Sequence, residues 1–345
     1  MVIGIIGASF SGLIAGVRLA KAGHDVTIIE RNRSLGGRLA SLGLGGMTMD
    51  YGISHFSAET NTFREFIDEL SQKQEIVEWA EAFSLHDGDQ LLREDPNASP
   101  LTKYAMTGGI HSIAKYLSRW VDIKSQEKAG GVTYIGPDRG KKRSWMINLT
   151  DITVFECDAV IIATPAPEAY GVLQTAQDET AARKIIRVID EVFYDDCITL
   201  SASFQRTPPD WKGIICGRSD VRWIGNESSK RGTGDQTGLV IHSTHDFYRR
   251  NATVNDETVT QRLLEEASSV IGSWAHQPEA TYLHRWQFFK ARSTINEYFM
   301  ELEMIDAPLA LIGNYFGGSS LENAYLSGNS LAEYWINKYS GVVVT

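Results

Sequence analysis

The sequence of 345 residues predicts an α/β protein built from two domains. A chain of this length exceeds what most single hydrophobic cores accommodate. Its first 30 residues combine an apolar run, a glycine-containing turn and a helical pattern, as in a βαβ unit. From about residue 170 to 285, segments of alternating polarity predict a second domain, of α+β type on a mixed or antiparallel sheet. Near the C-terminus, another strand, glycine-rich loop and helix return to the first domain.

The composition is that of an ordinary globular protein, with 43% hydrophobic and 22% charged residues. The net charge of −10 makes nucleic acid and anionic membrane surfaces poor general partners. Three scattered cysteines, Cys157, Cys197 and Cys216, form no CxxC pair. We therefore expect a reducing, cytoplasmic setting, with neither a disulfide framework nor a zinc or other metal site. No apolar run reaches about 18 residues, so we predict no membrane span.

The N-terminal segment has the pattern of a complete βαβ unit. Residues 2–6, VIGII, form an apolar run suited to a strand that is buried on both faces. Apolar residues then recur at helical spacing up to Gly23, which ends the helix. The second strand, DVTIIE, ends at Glu30. This pattern predicts a Rossmann-type domain that binds a dinucleotide.

The turn between strand and helix, GASFSG, has Gly7 and Gly12 at the spacing of a dinucleotide fingerprint, with Ser9 in place of the middle glycine. In such a turn the pyrophosphate binds at the helix N-terminus. A serine hydroxyl can itself donate a hydrogen bond to a phosphate oxygen. Glu30, about 20 residues later, is placed to accept both ribose hydroxyls of an adenosine. A degenerate turn that binds nothing is the alternative. The candidate cofactor-binding residues here are Gly7, Ser9, Phe10, Ser11, Gly12 and Glu30.

A second glycine loop follows Glu30 in the segment RNRSLGGRLAS, which contains Gly36, Gly37 and Arg38. An arginine can neutralise a pyrophosphate through two parallel hydrogen bonds. The alternative is a surface cation on a flexible glycine hinge. The position of Arg38 directly after the acidic strand end favours the phosphate role.

The C-terminal segment, residues 307–336, begins with a strand, continues through Gly313 and Asn314 into a glycine-rich loop, and ends in a helix. A helix N-terminus at the end of such a loop stabilises negative charge on a bound group. The segment therefore predicts a second point at which the first domain holds an anionic or electron-accepting cofactor.

These three separated segments together resemble the FAD-binding half of the amine oxidase superfamily of flavoproteins, which has a glutathione-reductase-like Rossmann fold. In that superfamily GGR follows the ribose-binding acid, and the segment matching MDYGISHF, residues 49–56, passes beside the isoalloxazine ring. The resemblance implies non-covalent FAD as the cofactor, with Asn314 in place of an acid that holds the ribityl chain. Its further implied FAD contacts are Arg31, Gly37, Gly52, Ser54, His55, Lys128, Ala129, Glu322 and Ala324.

Within the superfamily, the chain most resembles the renalase-like branch. Four segments carry this resemblance, namely MDYGISHFSAET, YAMTGGIHSIAKYL, VRWIGNESSKRG and LHRWQFF. It implies an oxidase of dihydronicotinamide isomers that passes a hydride to flavin N5 and the electrons to molecular oxygen, giving hydrogen peroxide. The alternatives are an amine oxidase or desaturase of the same fold, and a degenerate flavin-binding protein without turnover.

The candidate substrate-side residues are a histidine and a small set of large side chains. His55 is the candidate catalytic residue, with a packed or solvent-facing histidine as the alternative. Trp223, Arg285 and Trp286 are the candidate pocket residues, and Arg285 offers charge for a phosphate or carboxylate. The alternative for both tryptophans is a place in the core. Lys290 corresponds to a lysine that amine oxidases use near flavin N5, but we expect it to extend from a strand end into solvent.

The order of these segments predicts how the two domains share the chain. The FAD-binding domain takes residues 1–70, 106–169 and 291–345. The substrate domain takes residues 71–105, as an insertion, and 170–290. The predicted partners are a small-molecule substrate and molecular oxygen, and the sequence makes no prediction of oligomeric state.

Overall fold

The structure, a computed structural model, describes residues 1–136, 140–176, 179–302 and 307–340. The strands are β1 (Val2–Ile6), β2 (Asp25–Glu30), β3 (Ser41–Leu44), β4 (Met47–Asp50), β5 (Ile76–Ala80), β6 (Ser84–His86), β7 (Leu91–Leu92), β8 (Lys103–Met106), β9 (Asp122–Ser125), β10 (Ala129–Tyr134), β11 (Trp145–Leu149), β12 (Val154–Cys157), β13 (Ala159–Ile162), β14 (Tyr194–Phe204), β15 (Gly213–Cys216), β16 (Val221–Asn226), β17 (Thr237–Ser243), β18 (Ala280–Ala291), β19 (Met300–Glu301) and β20 (Leu309–Leu311). The α-helices are α1 (Phe10–Lys21), α2 (Asn61–Ser71), α3 (His111–Leu117), α4 (Ala166–Leu173), α5 (Glu179–Ile189), α6 (His245–Asn251), α7 (Asp256–Ile271) and α8 (Leu321–Lys338). Short 3-10 helices span Ser118–Trp120, Glu227–Lys230 and Ser273–His276.

The chain divides into two compact units. The first unit comprises Met1–Gly37, Ile113–Phe193 and Ala291–Thr345, and the second comprises Arg38–Ser112 and Tyr194–Lys290. The domains predicted above are defined by the ligand that each segment is expected to bind, and their limits stay a prediction. Within the described ranges, no helix combines the length and apolar character needed to cross a bilayer.

The first unit contains a six-stranded sheet in the order β19-β20-β13-β1-β2-β9. Its strands pair in parallel except for β19, which pairs antiparallel with β20. β13 is buried throughout and β1 over all but its first residue, as their apolar sequences predict for central parallel strands. The unit β1–α1–β2 confirms the Rossmann-type prediction. A separate antiparallel sheet, β10-β11-β12, belongs to the same unit.

Two glycines permit close packing around α1: Gly12 lies against the turn after β1, and Gly328 of α8 lies against α1. A Cβ atom on Gly12 would lie 2.3 Å from the carbonyl oxygen of Gly7. A Cβ atom on Gly328, in α8, would lie 2.3 Å from the carbonyl oxygen of Ser11. Both distances are far inside van der Waals contact, so a larger residue at either position would displace the backbone it meets. The last glycine of the GASFSG turn therefore has the packing role that the fingerprint assigns to it.

The second unit is built on a seven-stranded sheet in the order β18-β14-β17-β16-β15-β6-β7. β15 pairs in parallel with β6, whereas β14 with β17, β17 with β16, and β16 with β15 pair antiparallel. With the helices α6 and α7, this mixed sheet confirms the predicted α+β class of the second part of the chain.

The two faces of this sheet differ in polarity. One face forms an apolar core with α6 and α7, to which β14 contributes Ile198, Leu200, Ala202 and Phe204. The intervening residues of β14, Thr199 and Ser201, therefore point to the opposite face. His242 pairs in register with Thr199 on one side and with Trp223 on the other, which places all of them on that same face. We call Thr199, Ser201, Trp223 and His242 the polar face.

Candidate active site

The turn between β1 and α1 accommodates its serine without strain. Ser9 is the N-cap of α1 with an extended backbone (φ −66°, ψ 169°), and its Oγ accepts a hydrogen bond from Gly12 N at 3.3 Å. The same Oγ lies 3.0 Å from Ser11 Oγ. Gly7 has φ +101°, so the left-handed turn falls on a glycine and not on the serine. Ser9 thus replaces the middle glycine while capping the helix.

Glu30 connects this turn to the end of β2. Its Oε2 accepts from Ala8 N at 2.9 Å, and its Oε1 accepts from Asn32 N at 2.8 Å and Asn32 Nδ2 at 3.0 Å. The residue is 8% exposed. A carboxylate has about four acceptor positions, of which three are used here. The predicted ribose contact therefore has one acceptor position on Oε2 before any rearrangement, and it stays a prediction.

The loop after β2 contains two of the predicted FAD contacts. Gly36 N donates to Ala8 O at 2.7 Å, which holds the loop against the turn. Arg31 forms an ion pair with Glu168 at 2.8 Å on the surface. Gly37 has φ +57°, and a Cβ atom added to it would have no other atom within 4 Å.

Two other implied FAD contacts, Lys128 and Ala129, lie where β10 begins. Lys128 is exposed and Ala129 half-buried. The carbonyl of Lys128 accepts from Thr150 N at 2.9 Å. Their role toward a cofactor stays a prediction.

The C-terminal loop is anchored at both ends within the first unit. Gly313 N donates to Ser327 Oγ at 2.9 Å. Ser320 caps α8 through a reciprocal pair of hydrogen bonds with Asn323. Glu322 and Ala324 are buried in the first turn of α8, and Asn314 is half-buried after β20. The loop therefore leads directly into the capped N-terminus of an 18-residue helix, and its role toward a cofactor stays a prediction.

In the second unit, Asp50 of the predicted flavin-side segment belongs to a buried group of four charges. Lys230 Nζ lies 3.1 Å from Asp50 Oδ2 and 2.7 Å from Glu227 Oε1. Arg231 Nη2 lies 2.7 Å from Asp50 Oδ2, and its Nη1 lies 2.9 Å from Glu227 Oε2. We call Asp50, Glu227, Lys230 and Arg231 the ion cluster. With two positive and two negative members it is electrically neutral.

The ion cluster keeps the carboxylate of Asp50 ionised. Burial raises the pKa of Asp50, but Lys230, Arg231 and hydrogen bonds from Ser41 and Ile110 outweigh it, so that the pKa lies below its ordinary value. Asp50 Oδ1 accepts from Ser41 Oγ at 2.7 Å and from Ile110 N at 2.9 Å. Asp50 N donates to Glu227 Oε2 at 3.0 Å. The end of β4 is therefore fixed by both its side chain and its backbone.

His55 lies in an aromatic cluster of the second unit. Its ring centroid is 4.8 Å from that of Phe83, 5.4 Å from Trp223 and 5.9 Å from Trp79. Its Nδ1 lies 3.0 Å from Ser54 Oγ. Desolvation, with the charges of Lys230 and Lys103, lowers the pKa of His55 to about 3. The imidazole is therefore neutral at pH 7.

His242, on the polar face, is a second neutral histidine. It is 5% exposed, and its Nε2 has no hydrogen-bond partner among the described residues. Burial, with the charges of Arg222 and Lys230, lowers its pKa to about 3. Its ring packs edge-on against Phe289, with centroids 4.9 Å apart.

The predicted pocket residues lie in two different places in the second unit: the tryptophans at the polar face, and Arg285 at the turn before α7. Trp286 stacks on Tyr51 at 5.6 Å and donates from Nε1 to Thr199 Oγ1 at 3.1 Å. Trp223 packs against His55 on the polar face, so these two tryptophans and the histidine belong to one sheet surface. Arg285 instead holds the turn before α7, donating to the carbonyls of Asn251 and Val254 and to Asp256 Oδ1 at 2.8–2.9 Å. A ligand anion at Arg285 would compete with these bonds.

Four further residues named from the sequence have defined surroundings in the second unit. Arg38 Nη1 donates to the carbonyls of Phe288 and Phe289 at 3.2 and 2.9 Å. A Cβ on Gly52 would lie 2.1 Å from Arg38 O, so this position requires a glycine. Ser54 is 6% exposed and contacts His55, as described above. Lys290 is exposed near the end of β18, and its place outside the chemistry stays a prediction.

Sequence reasoning missed His242 and the ion cluster. Three members of the ion cluster lie in the segment VRWIGNESSKRG, namely Glu227, Lys230 and Arg231. Their i, i+3 and i+4 spacing puts them on one side of a helical turn. That spacing was a usable signal. His242 sits in the apolar run GLVIHST, where nothing distinguishes it from a half-buried strand residue.

Comparisons with known proteins identify related families. The sequence matches an NAD(P)-binding Rossmann-like domain over residues 5–70 and the family of flavin-containing amine oxidoreductases over residues 80–336. The 4,4'-diapophytoene desaturase (4,4'-diaponeurosporene-forming) of Staphylococcus aureus strain Newman is 48% identical over 52 residues, which are 15% of this chain. The match spans only 10% of the length of that desaturase.

Solved structures share the fold over nearly the whole chain. Cyclohexylamine oxidase from Brevibacterium oxydans IH-35A has a TM-score of 0.74 at 11% identity, covering 98% of this chain and 99% of that one. Putrescine oxidase bound to putrescine has a TM-score of 0.73 at 12% identity, with the same coverage. At such identities the likeness shows the fold alone. Because the amine oxidoreductase family matches most of the sequence and follows a Rossmann-like match, the chain belongs to the flavin-containing amine oxidoreductase family and is an FAD-dependent oxidoreductase.

Proposed function

We propose that the protein is a renalase-like oxidase of a dihydronicotinamide or a similar small, electron-rich cyclic donor. The donor loses a hydride from carbon as its ring nitrogen lone pair stabilises the cation left behind. FAD, which residues of the first unit would hold, would supply the hydride acceptor and a route for two electrons to molecular oxygen. With one proton from solvent, the products would be the oxidised donor and hydrogen peroxide. The contribution of the protein is to bind and align the donor and to exclude water.

The residues of the first unit fit a bound dinucleotide. The N-terminus of α1 has no acidic residue in its first turn, so it offers its N–H groups and positive dipole end to a pyrophosphate. Thr164 Oγ1 is buried and unpartnered among the described residues, and its side chain is the neighbour that a Cβ on Gly7 would meet at 3.1 Å. Ser9 and Thr164 would supply hydroxyl donors, and Glu30 would accept from the ribose.

The observation that favours a neutral donor is the positive surrounding of the two histidines. Burial is the main cause of both lowered histidine pKa values. The positive charge of Lys230 lowers both of them further, that of Lys103 lowers the pKa of His55, and that of Arg222 lowers the pKa of His242. The two carboxylates of the ion cluster are already held by Lys230 and Arg231. A cation beside these rings would meet like charge, with those carboxylates already paired. A neutral dihydropyridine ring avoids this cost and can pack against the aromatic side chains.

An amine oxidase is the second candidate, and the aromatic cluster is the observation that favours it. Trp79, Phe83 and Trp223 surround His55, and the faces of such rings attract ammonium groups. Two structural neighbours are named for amine substrates, putrescine and cyclohexylamine.

Anaerobic mixing of the FAD-loaded protein with defined donors tests the proposal. We expect dihydronicotinamide isomers to bleach the flavin absorbance, and re-admitted oxygen to restore it with one hydrogen peroxide per donor oxidised. Putrescine, cyclohexylamine and benzylamine serve as the comparison set. Bleaching by these amines, together with no response to any dihydronicotinamide isomer, would contradict the proposal and favour the amine oxidase. Flavin that binds but responds to neither set would indicate a protein without turnover.

A further inference from the structure

We propose that Lys230 is a positioning residue for the segment Asp50–His55, and through it for the imidazole of His55. This inference rests on the proposed function only in that it places His55 beside the donor. The argument uses contacts within the second unit alone.

All three N–H donors of Lys230 have acceptors. Its Nζ donates to Asp50 Oδ2 at 3.1 Å, to Glu227 Oε1 at 2.7 Å and to the carbonyl of Ser54 at 2.7 Å. The third bond matters most for the site, because it holds the backbone at the residue directly before His55. The side chain of Lys230 is fully buried. Its Nζ also lies 4.8 Å from the ring centroid of Trp79, a neighbour of His55.

The other members of the ion cluster fix the remaining end of the segment. Asp50 is bound by its side chain to Lys230 and Arg231 and by its N–H to Glu227. Arg231 reaches the carbonyls of Met106 and Thr107, and Asp50 reaches Ile110 N. Lys230 is therefore the one member that contacts both ends of the segment, Asp50 and Ser54.

Fixing Ser54 also fixes the rotation of the histidine ring. Ser54 Oγ lies 3.0 Å from His55 Nδ1, so the hydroxyl and the ring move with the same backbone. Nε2 is then the ring nitrogen left to meet a ligand. A ring held in this way costs less entropy to align with a donor than a freely rotating one.

The variant Lys230→Met alone would leave a net negative charge in the interior and risks unfolding. The double variant Lys230→Met/Glu227→Gln removes one charge of each sign and keeps the ion cluster neutral. We expect it to fold and to bind FAD with a Kd within about threefold of wild type, because Ser9, Thr164 and Glu30, whose contacts with FAD are argued above, are in the first unit. We expect its rate of flavin bleaching by the best wild-type donor to fall at least tenfold.

Nitrogen-15 NMR of the histidine rings gives a readout that needs no substrate. His55 is assigned by comparison with His55→Gln. In wild type we expect the ring to stay neutral down to about pH 4, and in the double variant we expect its pKa to rise by at least one unit, since the adjacent charge and the anchor are both lost.

Lys103→Met is the matched control. Lys103 is another buried lysine of the second unit that donates to three carbonyls, those of Glu81, Ser99 and Leu101, and its charge also lowers the pKa of His55. It has no bond to the segment Asp50–His55 among the described residues. We therefore expect a bleaching rate within about twofold of wild type.

The inference is overturned if the folded double variant keeps the wild-type rate and the wild-type His55 titration. It is also overturned if His55 of the wild type titrates near 6.5, or if Lys103→Met slows bleaching as much as the double variant. Failure of every dihydronicotinamide to bleach the wild type contradicts the proposed function instead, and the NMR comparison still decides the role of Lys230.

Discussion

Replacing Glu227 by glutamine tests the ion cluster through its effect on stability. The side chains of Asp50, Glu227 and Lys230 are only 0–1% exposed, and the four charges cancel. Glu227→Gln leaves one uncompensated positive charge, and the new amide NH₂ must face Lys230 or Arg231, which offer only donors. We expect the free energy of unfolding to fall by about 3–5 kcal/mol, as when one partner of a buried ion pair is removed.

The matched control is Glu333→Gln, the same substitution in a surface ion pair. Glu333 lies 3.3 Å from Arg18 with side-chain exposures of 53% and 39%, so its loss should cost at most about 1 kcal/mol. Urea unfolding of both FAD-loaded variants beside wild type measures the difference. A loss below about 1 kcal/mol for Glu227→Gln, equal to that of the control, would refute the reasoning that the cluster is buried and charged.

Three further predictions concern the cofactor and the effect of acid. Burial raises the pKa of each of the three cysteines to about 12, so no thiolate is available to form a covalent bond to the flavin. Heat or acid should therefore release all FAD into solution, and flavin retained by the precipitated protein would contradict this. Ser9→Gly should change the Kd for FAD by less than about threefold, because glycine replaces a serine cap at a cost of a few tenths of a kcal/mol. Glu30→Ala should weaken FAD binding about tenfold or more, because it removes charge-assisted bonds to Ala8, Asn32 and the ribose. Equal FAD titration curves for the two variants would show that the ribose lies elsewhere. Acid should destabilise the fold between pH 6.5 and 3, because His55 and His242 bind protons in the unfolded chain but stay neutral in the folded one. The free energy of unfolding should fall by up to about 1.4 kcal/mol per pH unit for each histidine. Urea midpoints that are unchanged from pH 7 to 5 would contradict the two lowered pKa values.

The parts of the fold that local patterns encode could be predicted from the sequence. The run Val2–Ile6 is apolar because β1 is buried on both faces, and Gly7 and Ser9 punctuate it with a turn and a helix cap. The glycine loop and helix at the C-terminus follow the same logic. Each signal lies within about one turn or strand of the structure it specifies, which is the range over which propensity and periodicity act.

The second unit could not be predicted to the same depth, because its site depends on contacts between distant residues. Asp50 and Lys230 are separated by 180 positions, so the sequence around one residue does not indicate that it pairs with the other. Arg285 reads as a candidate anion site until the structure shows its bonds to the turn before α7. His242 becomes notable only through the burial and charges that surround it.

The pH dependence of flavin bleaching in anaerobic stopped flow tests the central claim, oxidation of a neutral donor by hydride transfer, most directly. A dihydronicotinamide carries no proton to lose first, and His55 and His242, with pKa values of about 3, do not titrate near neutrality. The account predicts a bleaching rate that is constant within about twofold from pH 6 to 9. A rate that climbs toward about tenfold per pH unit as the donor nitrogen deprotonates, seen with simple amines while dihydronicotinamides give none, would contradict it.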